Sequence, residues 1–269
     1  IDTRLPGMLT AVVAHPPVYG STPRSVDDSA AQAVKGVRAV LRIPSVHGGE
    51  TVAVLADGYW PAKQGRDALK IEWDSASQGK VDSAQQLAQY RELAQKPGAL
   101  KYDADVAPLA GAPHKISAEY LFPYLAHTPM EPLNCTVRLT GQGAATQAEL
   151  WLGTQAPGWE TAAAARVLGI DPKNVRVNVQ MAGGGFGRRG TPACDYVAEA
   201  CQIAKAARAA GVDAPVRMVW SREDDVKGGF YRPMHLHRAE IGFDDQGKVL
   251  AWDHVIVGQS ITQGSPFEA

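Results

Sequence analysis

Apolar positions come in short blocks, closed by proline or glycine, and the period within each block changes along the chain. Met8-Leu9-Thr10-Ala11-Val12-Val13-Ala14 is nearly all apolar and is stopped by Pro16 and Pro17, which predicts a strand. Asp27 or Asp28 is placed to cap a short helix through Ala33, with Gly36 ending it. Val37 to Ile43 and Thr51 to Ala56 read as strands. Tyr59 to Leu69 carries Ala62, Arg66 and Leu69 at helical spacing, and Lys70-Ile71-Glu72-Trp73 alternates like a strand. Residues 1–75 therefore predict a small α/β unit.

The pattern fades over residues 76–113. Ala84 to Ala94 predicts one polar helix, and the Ser, Gln, Gly and Pro around it read as a linker or surface-draped segment. Order returns over residues 114–269. Ile116 to Tyr120, Cys135 to Leu139, Ala148 to Leu152 and Val175 to Val179 predict strands. Trp159 to Leu168 is an alanine-rich helix closed by Gly169, and Tyr196 to Ala209 is a second helix. Val216 to Trp220, Leu236 to Phe243 and Val249 to Val257 complete the strands, and Asp244-Asp245-Gln246-Gly247 is a hairpin turn. The expected class is a mixed α/β (α+β) protein without internal repeats.

Composition narrows the chemistry. The 269 residues are 45% hydrophobic and 20% charged with a net charge of −1, which gives no reason to expect nucleic acid or an anionic membrane surface as partner. Three cysteines, Cys135, Cys194 and Cys201, form no CxxC pair, so no structural zinc or iron–sulfur site is expected on the chain. No apolar run is long enough to span a bilayer, and no signal peptide is visible. The chain opens at Ile1 and stops at Pro266-Phe267-Glu268-Ala269, and we read it as an excised or processed piece of something longer.

The segment richest in chemistry follows the Val175 strand. In Gln180-Met181-Ala182-Gly183-Gly184-Gly185-Phe186-Gly187-Arg188-Arg189-Gly190, five of eleven positions are glycine. Bare backbone N–H groups between a strand and a helix start suit an anionic ligand. Arg188 and Arg189 add fork-shaped donors for phosphate, or else pair with local carboxylates such as Asp195. Two further segments stand out, Ala126-His127-Thr128-Pro129-Met130-Glu131-Pro132-Leu133-Asn134 and Gly153-Thr154-Gln155-Ala156-Pro157. Gln155 is a neutral donor and acceptor, and capping of the following helix is its structural alternative.

Together, AHTPMEPLNC, GTQAP and GGGFGRR resemble the large, molybdopterin-binding subunit of the xanthine oxidase family of molybdenum hydroxylases, in a spelling like that of isoquinoline 1-oxidoreductase and related aldehyde dehydrogenase subunits. The likeness runs over nearly the whole chain. It implies an α/β-hammerhead-like domain over 1–75, the linker over 76–113 and part of a molybdopterin-binding domain over 114–269. It further implies that Gln155 contacts the apical oxo ligand of molybdenum, and that Gly184, Gly185, Phe186, Gly187 and Arg188 border the cofactor, in its cytosine dinucleotide form. In that family no protein atom ligates the metal. The [2Fe-2S] clusters sit on a partner subunit, and the reaction hydroxylates an electron-poor carbon with oxygen from water. The acidic residue that xanthine-type members carry after the glycine loop is replaced by Arg188-Arg189-Gly190-Thr191, which fits an aldehyde or a less polar N-heterocycle better. The family's glutamate base has no match here, since Glu131, Glu160 and Glu223 lie in other motifs, and the base is expected on the remainder of the large subunit. A periplasmic location is compatible with the resemblance, but the chain's ends do not reveal the compartment.

Other readings compete. A nicotinamide or flavin protein would use Gly183 to Gly187, but those glycines are contiguous instead of spaced GxGxxG. A non-catalytic docking fragment is the third option. His127 is read as a hydrogen-bonded core histidine before a catalytic acid. His235 and His237 share a strand face but lack a third metal ligand. Cys194 and Cys201 read as packing residues. Asp224-Asp225, after Arg222-Glu223, reads as a solvated turn.

Overall fold

The computed structural model describes residues 1–76, 79, 81–99 and 104–261. The expected chain end at Pro266 to Ala269 lies outside them. The strands are β1 (Leu9–Ala14), β2 (Thr22–Asp27), β3 (Val37–Pro44), β4 (Glu50–Ala56), β5 (Lys70–Asp74), β6 (His114–Phe122), β7 (Asn134–Thr140), β8 (Gln147–Leu152), β9 (Val175–Val179), β10 (Val216–Val219), β11 (His235–Phe243) and β12 (Val249–Gly258). The helices are α1 (Ser29–Gln32), α2 (Tyr59–Ala68), α3 (Ser83–Leu93), α4 (Pro108–Gly111), α5 (Pro157–Leu168), α6 (Asp195–Ala209) and α7 (Arg222–Lys227). The chain divides into two compact units, residues 1–78 with 126–230 and residues 79–125 with 231–269. These units do not follow the expected 1–75, 76–113 and 114–269 divisions.

The first unit is built on a mixed seven-stranded sheet in the order β3-β4-β1-β10-β7-β8-β9. Strand alternation explains its layers. On β1 and β4, Ala11, Val13, Ala53 and Leu55 face a core shared with Tyr196, Val197, Ala200 and Ile203 of α6, while Val12 and Ala56 face Ala62 of α2. The helix α2 comes so close that a Cβ at Gly65 would lie 2.9 Å from both Val37 Cγ2 and Val54 Cγ1. The run Val52–Ala56 is wholly buried, as expected of a strand covered on both faces. Helix α5 ends as its sequence predicts, with Gly169 left-handed at φ 71°.

Strand β2 was not expected. Its sequence, Thr-Pro-Arg-Ser-Val-Asp, is mostly exposed, carries a register irregularity between Pro23 and Ser25, and pairs with β5 in a separate two-stranded ribbon. Helix α1 starts after Asp28, but neither aspartate side chain caps it by the expected bond to N2 or N3. Asp27 instead holds the Ser29 N–H and hydroxyl.

In the second unit β6, β11 and β12 form an antiparallel sheet, and α3 packs Tyr90 and Ala94 against Met234 and Leu236. The segment expected as a linker thus contributes to a core. Asp82 caps α3 by accepting from the N–H groups of Ala84 and Gln85. The predicted turn at Asp244–Gly247 joins β11 to β12, with Gly247 at φ 79°. No helix among the described residues is long and apolar enough to cross a membrane.

Candidate functional site

Strand direction brings the three motif segments to one edge of the first unit's sheet. Strands β8 and β9 are parallel neighbours in the register Leu152↔Val179, so the segments leaving their C-terminal ends, from Gly153 and from Gln180, start side by side. Strand β7 is antiparallel to β8, so the Pro129–Leu133 segment that enters β7 arrives at the same edge. Gln180 N–H donates to Leu152 O at 2.8 Å, and a Cβ on Gly153 would come within 2.9 Å of Ala182 Cα.

Gln155 meets the glycine loop directly. Its Oε1 accepts from Gly187 N–H at 3.2 Å, and its own N–H donates to Arg189 O at 3.1 Å. The capping alternative for Gln155 fails, because α5 begins behind Ala156 without a side-chain cap. A Cβ built on Gly185 would lie 2.5 Å from Gln155 Oε1. Gly184 and Gly187 are left-handed, and so is Phe186, a non-glycine at φ 54° that is 62% exposed. Among the described residues, the N–H groups of Gly184, Gly185 and Phe186 have no acceptor.

Glu131 borders the loop entry. Its Oε2 accepts from Gly183 N–H at 3.0 Å, its N–H donates to Gly183 O at 2.9 Å, and its Oε1 accepts from Asn134 Nδ2 at 3.0 Å and meets the Ile1 ammonium at 2.6 Å. Arg189 is fully buried. Nε donates to Gly184 O at 2.8 Å, Nη1 to Gly153 O at 3.3 Å, and Nη2 to Glu131 O at 2.9 Å and Glu131 Oε2 at 3.2 Å. Sequence reasoning gave neither residue this role. Arg189 bonds mainly backbone carbonyls and Glu131 a backbone N–H, and main-chain partners carry no side-chain signature.

Arg188 requires a correction. It does not stand free for a phosphate. It is buried and bidentate to Asp195, with Nη1 at 2.8 Å and Nη2 at 2.6 Å, and its guanidinium lies 5.6 Å from the ring centres of Trp220 and Phe230. The loop also does not run straight into a helix start. A 3-10 turn, Arg188–Gly190, intervenes, and α6 begins with Asp195 behind Cys194, whose side chain caps nothing. Any anion at the loop would therefore meet bare amides and not the α6 dipole.

The Asp224-Asp225 turn is a second correction. Ser221 and Asp224 close a capping box on α7, and both acids are largely buried. Burial works to raise Asp224, but His15, the Ser221 backbone and Arg66 outweigh it and bring its pKa down to about 2. Burial works to lower His15, but Glu199 and Asp224 raise it to about 10, with Nε2 2.7 Å from Glu199 Oε1. Burial alone raises Asp225 against Arg222 and Arg188.

The remaining candidates lie as follows. His127 presents its ring to Gly187, 3.8 Å from the Cβ position there. His237 Nδ1 lies 3.1 Å from His254 Nε2 and stacks near His235, yet no group of three metal-binding side chains occurs among the described residues. The three cysteines are buried as free thiols, and burial pushes Cys194 and Cys201 up to about 12.

With this geometry in place, residues 92–261 match the molybdopterin cofactor-binding domain family. The chain is 31% identical to isoquinoline 1-oxidoreductase subunit beta of Brevundimonas diminuta, over 97% of this chain and 33% of that protein. It is also 31% identical to a membrane-bound aldehyde dehydrogenase [pyrroloquinoline-quinone] of Gluconacetobacter polyoxogenes, over 94% of this chain and 32% of that protein. It shares the fold of quinoline 2-oxidoreductase from Pseudomonas putida 86, with a TM-score of 0.63 at 18% identity, over 94% of this chain and 36% of that one. The chain thus spans about a third of the length of the relatives it matches.

Proposed function

The chain belongs to the molybdopterin cofactor-binding domain family, and from that premise we propose that it is the part of an oxidoreductase large subunit that holds a molybdenum–molybdopterin cofactor. The observation that carries this reading is the meeting of the Gln155 carboxamide with three amides that find no acceptor among the described residues, at Gly184, Gly185 and Phe186, around a Gly185 position that a side chain would crowd. A neutral carboxamide and bare amides suit an anionic cofactor, because they add donors without a competing negative charge.

Each residue has a task in this reading. Gly184, Gly185 and Phe186 offer N–H groups to the cofactor, and Gln155, which already accepts from Gly187, keeps its amide NH2 for a ligand oxygen. Arg188 anchors the far end of the loop on Asp195 and does not touch the cofactor. When bound, the cofactor supplies the redox chemistry that hydroxylates an electron-poor carbon, of an aldehyde or a less polar N-heterocycle, with oxygen from water. The cytosine dinucleotide form, a glutamate base on the remainder of the large subunit and a small iron–sulfur partner subunit complete the proposal.

Metal analysis tests it. The chain, expressed in cells that make the cofactor, is expected to carry molybdenum and a fluorescent pterin, and the Gly185→Val variant to carry neither. Bound flavin or nicotinamide in place of molybdenum, or full molybdenum content in the variant, would remove the proposal.

A further inference from the structure

We infer that Arg189, fixed by Glu131, is the positioning residue that gathers the three motif segments into one cradle, an inference that rests on the cofactor reading above. Its guanidinium is wholly buried and permanently charged, so it must be paired and hydrogen-bonded. Neutralising Glu131 would need one contact. Instead the fork spreads over three segments, reaching Glu131 O and Oε2 in the first, Gly153 O in the second and Gly184 O in the third. Its own carbonyl holds Gln155 N–H. Arg189 thus touches the Glu131 segment, the root of the Gln155 segment and the glycine loop itself.

Arg188 shows the contrast. It spends both terminal nitrogens on a single carboxylate of α6 and stacks on Trp220 and Phe230, which secures the end of the loop and none of the other segments. Glu131 reinforces Arg189 by gripping Gly183 through both its backbone and its carboxylate. Arg222 Nη2 holds the outer side of the same segment through Pro129 O at 2.7 Å and Met130 O at 2.9 Å. The separation between the Gln155 carboxamide and the Gly184–Phe186 amides is therefore set through Arg189, and not by the Gln155–Gly187 bond alone. A lysine keeps the charge, but its single nitrogen cannot span carbonyls that three guanidinium nitrogens reach.

Amide hydrogen exchange on the wild type, Arg189→Lys and Arg189→Met tests the role. Each of three amides reports one junction: Gln155 N–H on Arg189, Gly183 N–H on Glu131, and Gly187 N–H on Gln155. In Arg189→Lys all three are expected to exchange at least about tenfold faster, while the amides of Val54 and Leu55 in β4 keep their wild-type rates. Retained protection at these amides, change at only one, or equal acceleration in β4 would overturn the inference, the last because it marks a merely structural role. Should Arg189→Met fail to fold, Arg189→Lys decides. Molybdenum content of the same samples separates the two readings. Wild type without molybdenum overturns the cofactor assignment and leaves the exchange result to judge Arg189. Wild type and Arg189→Lys with equal molybdenum overturn the positioning role.

Discussion

Replacing Gly185 by alanine is the most discriminating perturbation. The backbone there tolerates an L side chain, since Gly185 is not among the residues with positive φ. The added Cβ would lie 2.5 Å from Gln155 Oε1 and 3.1 Å from Gln155 Cδ. Ordinary contact begins near 3.4 Å, so the carboxamide must withdraw by 3.4 − 2.5 = 0.9 Å. That movement breaks the bond from Gly187 N–H, at a cost of ~1 kcal/mol. For a chain of this size such a loss lowers Tm by about 2–4 °C. The effect on the cofactor is expected to be larger. One donor withdrawn from an anionic group costs about 1.5–3 kcal/mol, which weakens binding about 10- to 100-fold. The assay pairs a thermal melt with metal analysis of the purified chain. Gly158→Ala serves as control, because nothing lies within 4 Å of its Cβ position. Wild-type molybdenum content in Gly185→Ala would refute the placement of the cofactor against Gln155 and the glycine loop. Collapse of the fold would refute the argument that the flexible carboxamide yields.

Two predictions concern the scaffold. His15 has its pKa raised from 6.5 to about 10, so it binds more protons in the folded chain, and the stability it adds is full below pH 6.5 and declines as pH rises through about 10. Unfolding free energies from urea melts should fall over that window with a slope of at most about 1.4 kcal/mol per pH unit, and His15→Gln should flatten it. Gly65→Ala should destabilise by about 1–3 kcal/mol despite better helix propensity, read from denaturant melts, because its methyl meets Val37 and Val54 in a packed interface.

Much of the scaffold was legible because its signals are local. Val52–Ala56 is apolar on both faces and sits in the middle of the first unit, and Gly169 ends α5 where its left-handed freedom predicts. Strand β2 was not legible, since its pairing comes from β5, more than forty residues on, and not from its own polar sequence. Asp224 and Asp225 looked solvated for the same reason, because the histidine and arginines that enclose them are remote in the chain or, like Arg222, look like part of one exposed charge run. At the site, the glycines and Gln155 could be named as candidates from their spelling. Their meeting could not be derived, since it depends on β8 and β9 being parallel neighbours. Arg188 and Arg189 stand side by side in sequence and are both buried, and only their partners, set by the fold, separate an arginine that locks onto one acid from an arginine that spans three segments.

The pairing of Leu152 with Val179 has an engineering meaning. Both loops are rooted on one rung of a hydrogen-bonded ladder, so an exposed side chain at a loop tip, such as Met181 or Phe186, can be exchanged without prying the roots apart. The tips can then vary while the grip at their base stays as it is.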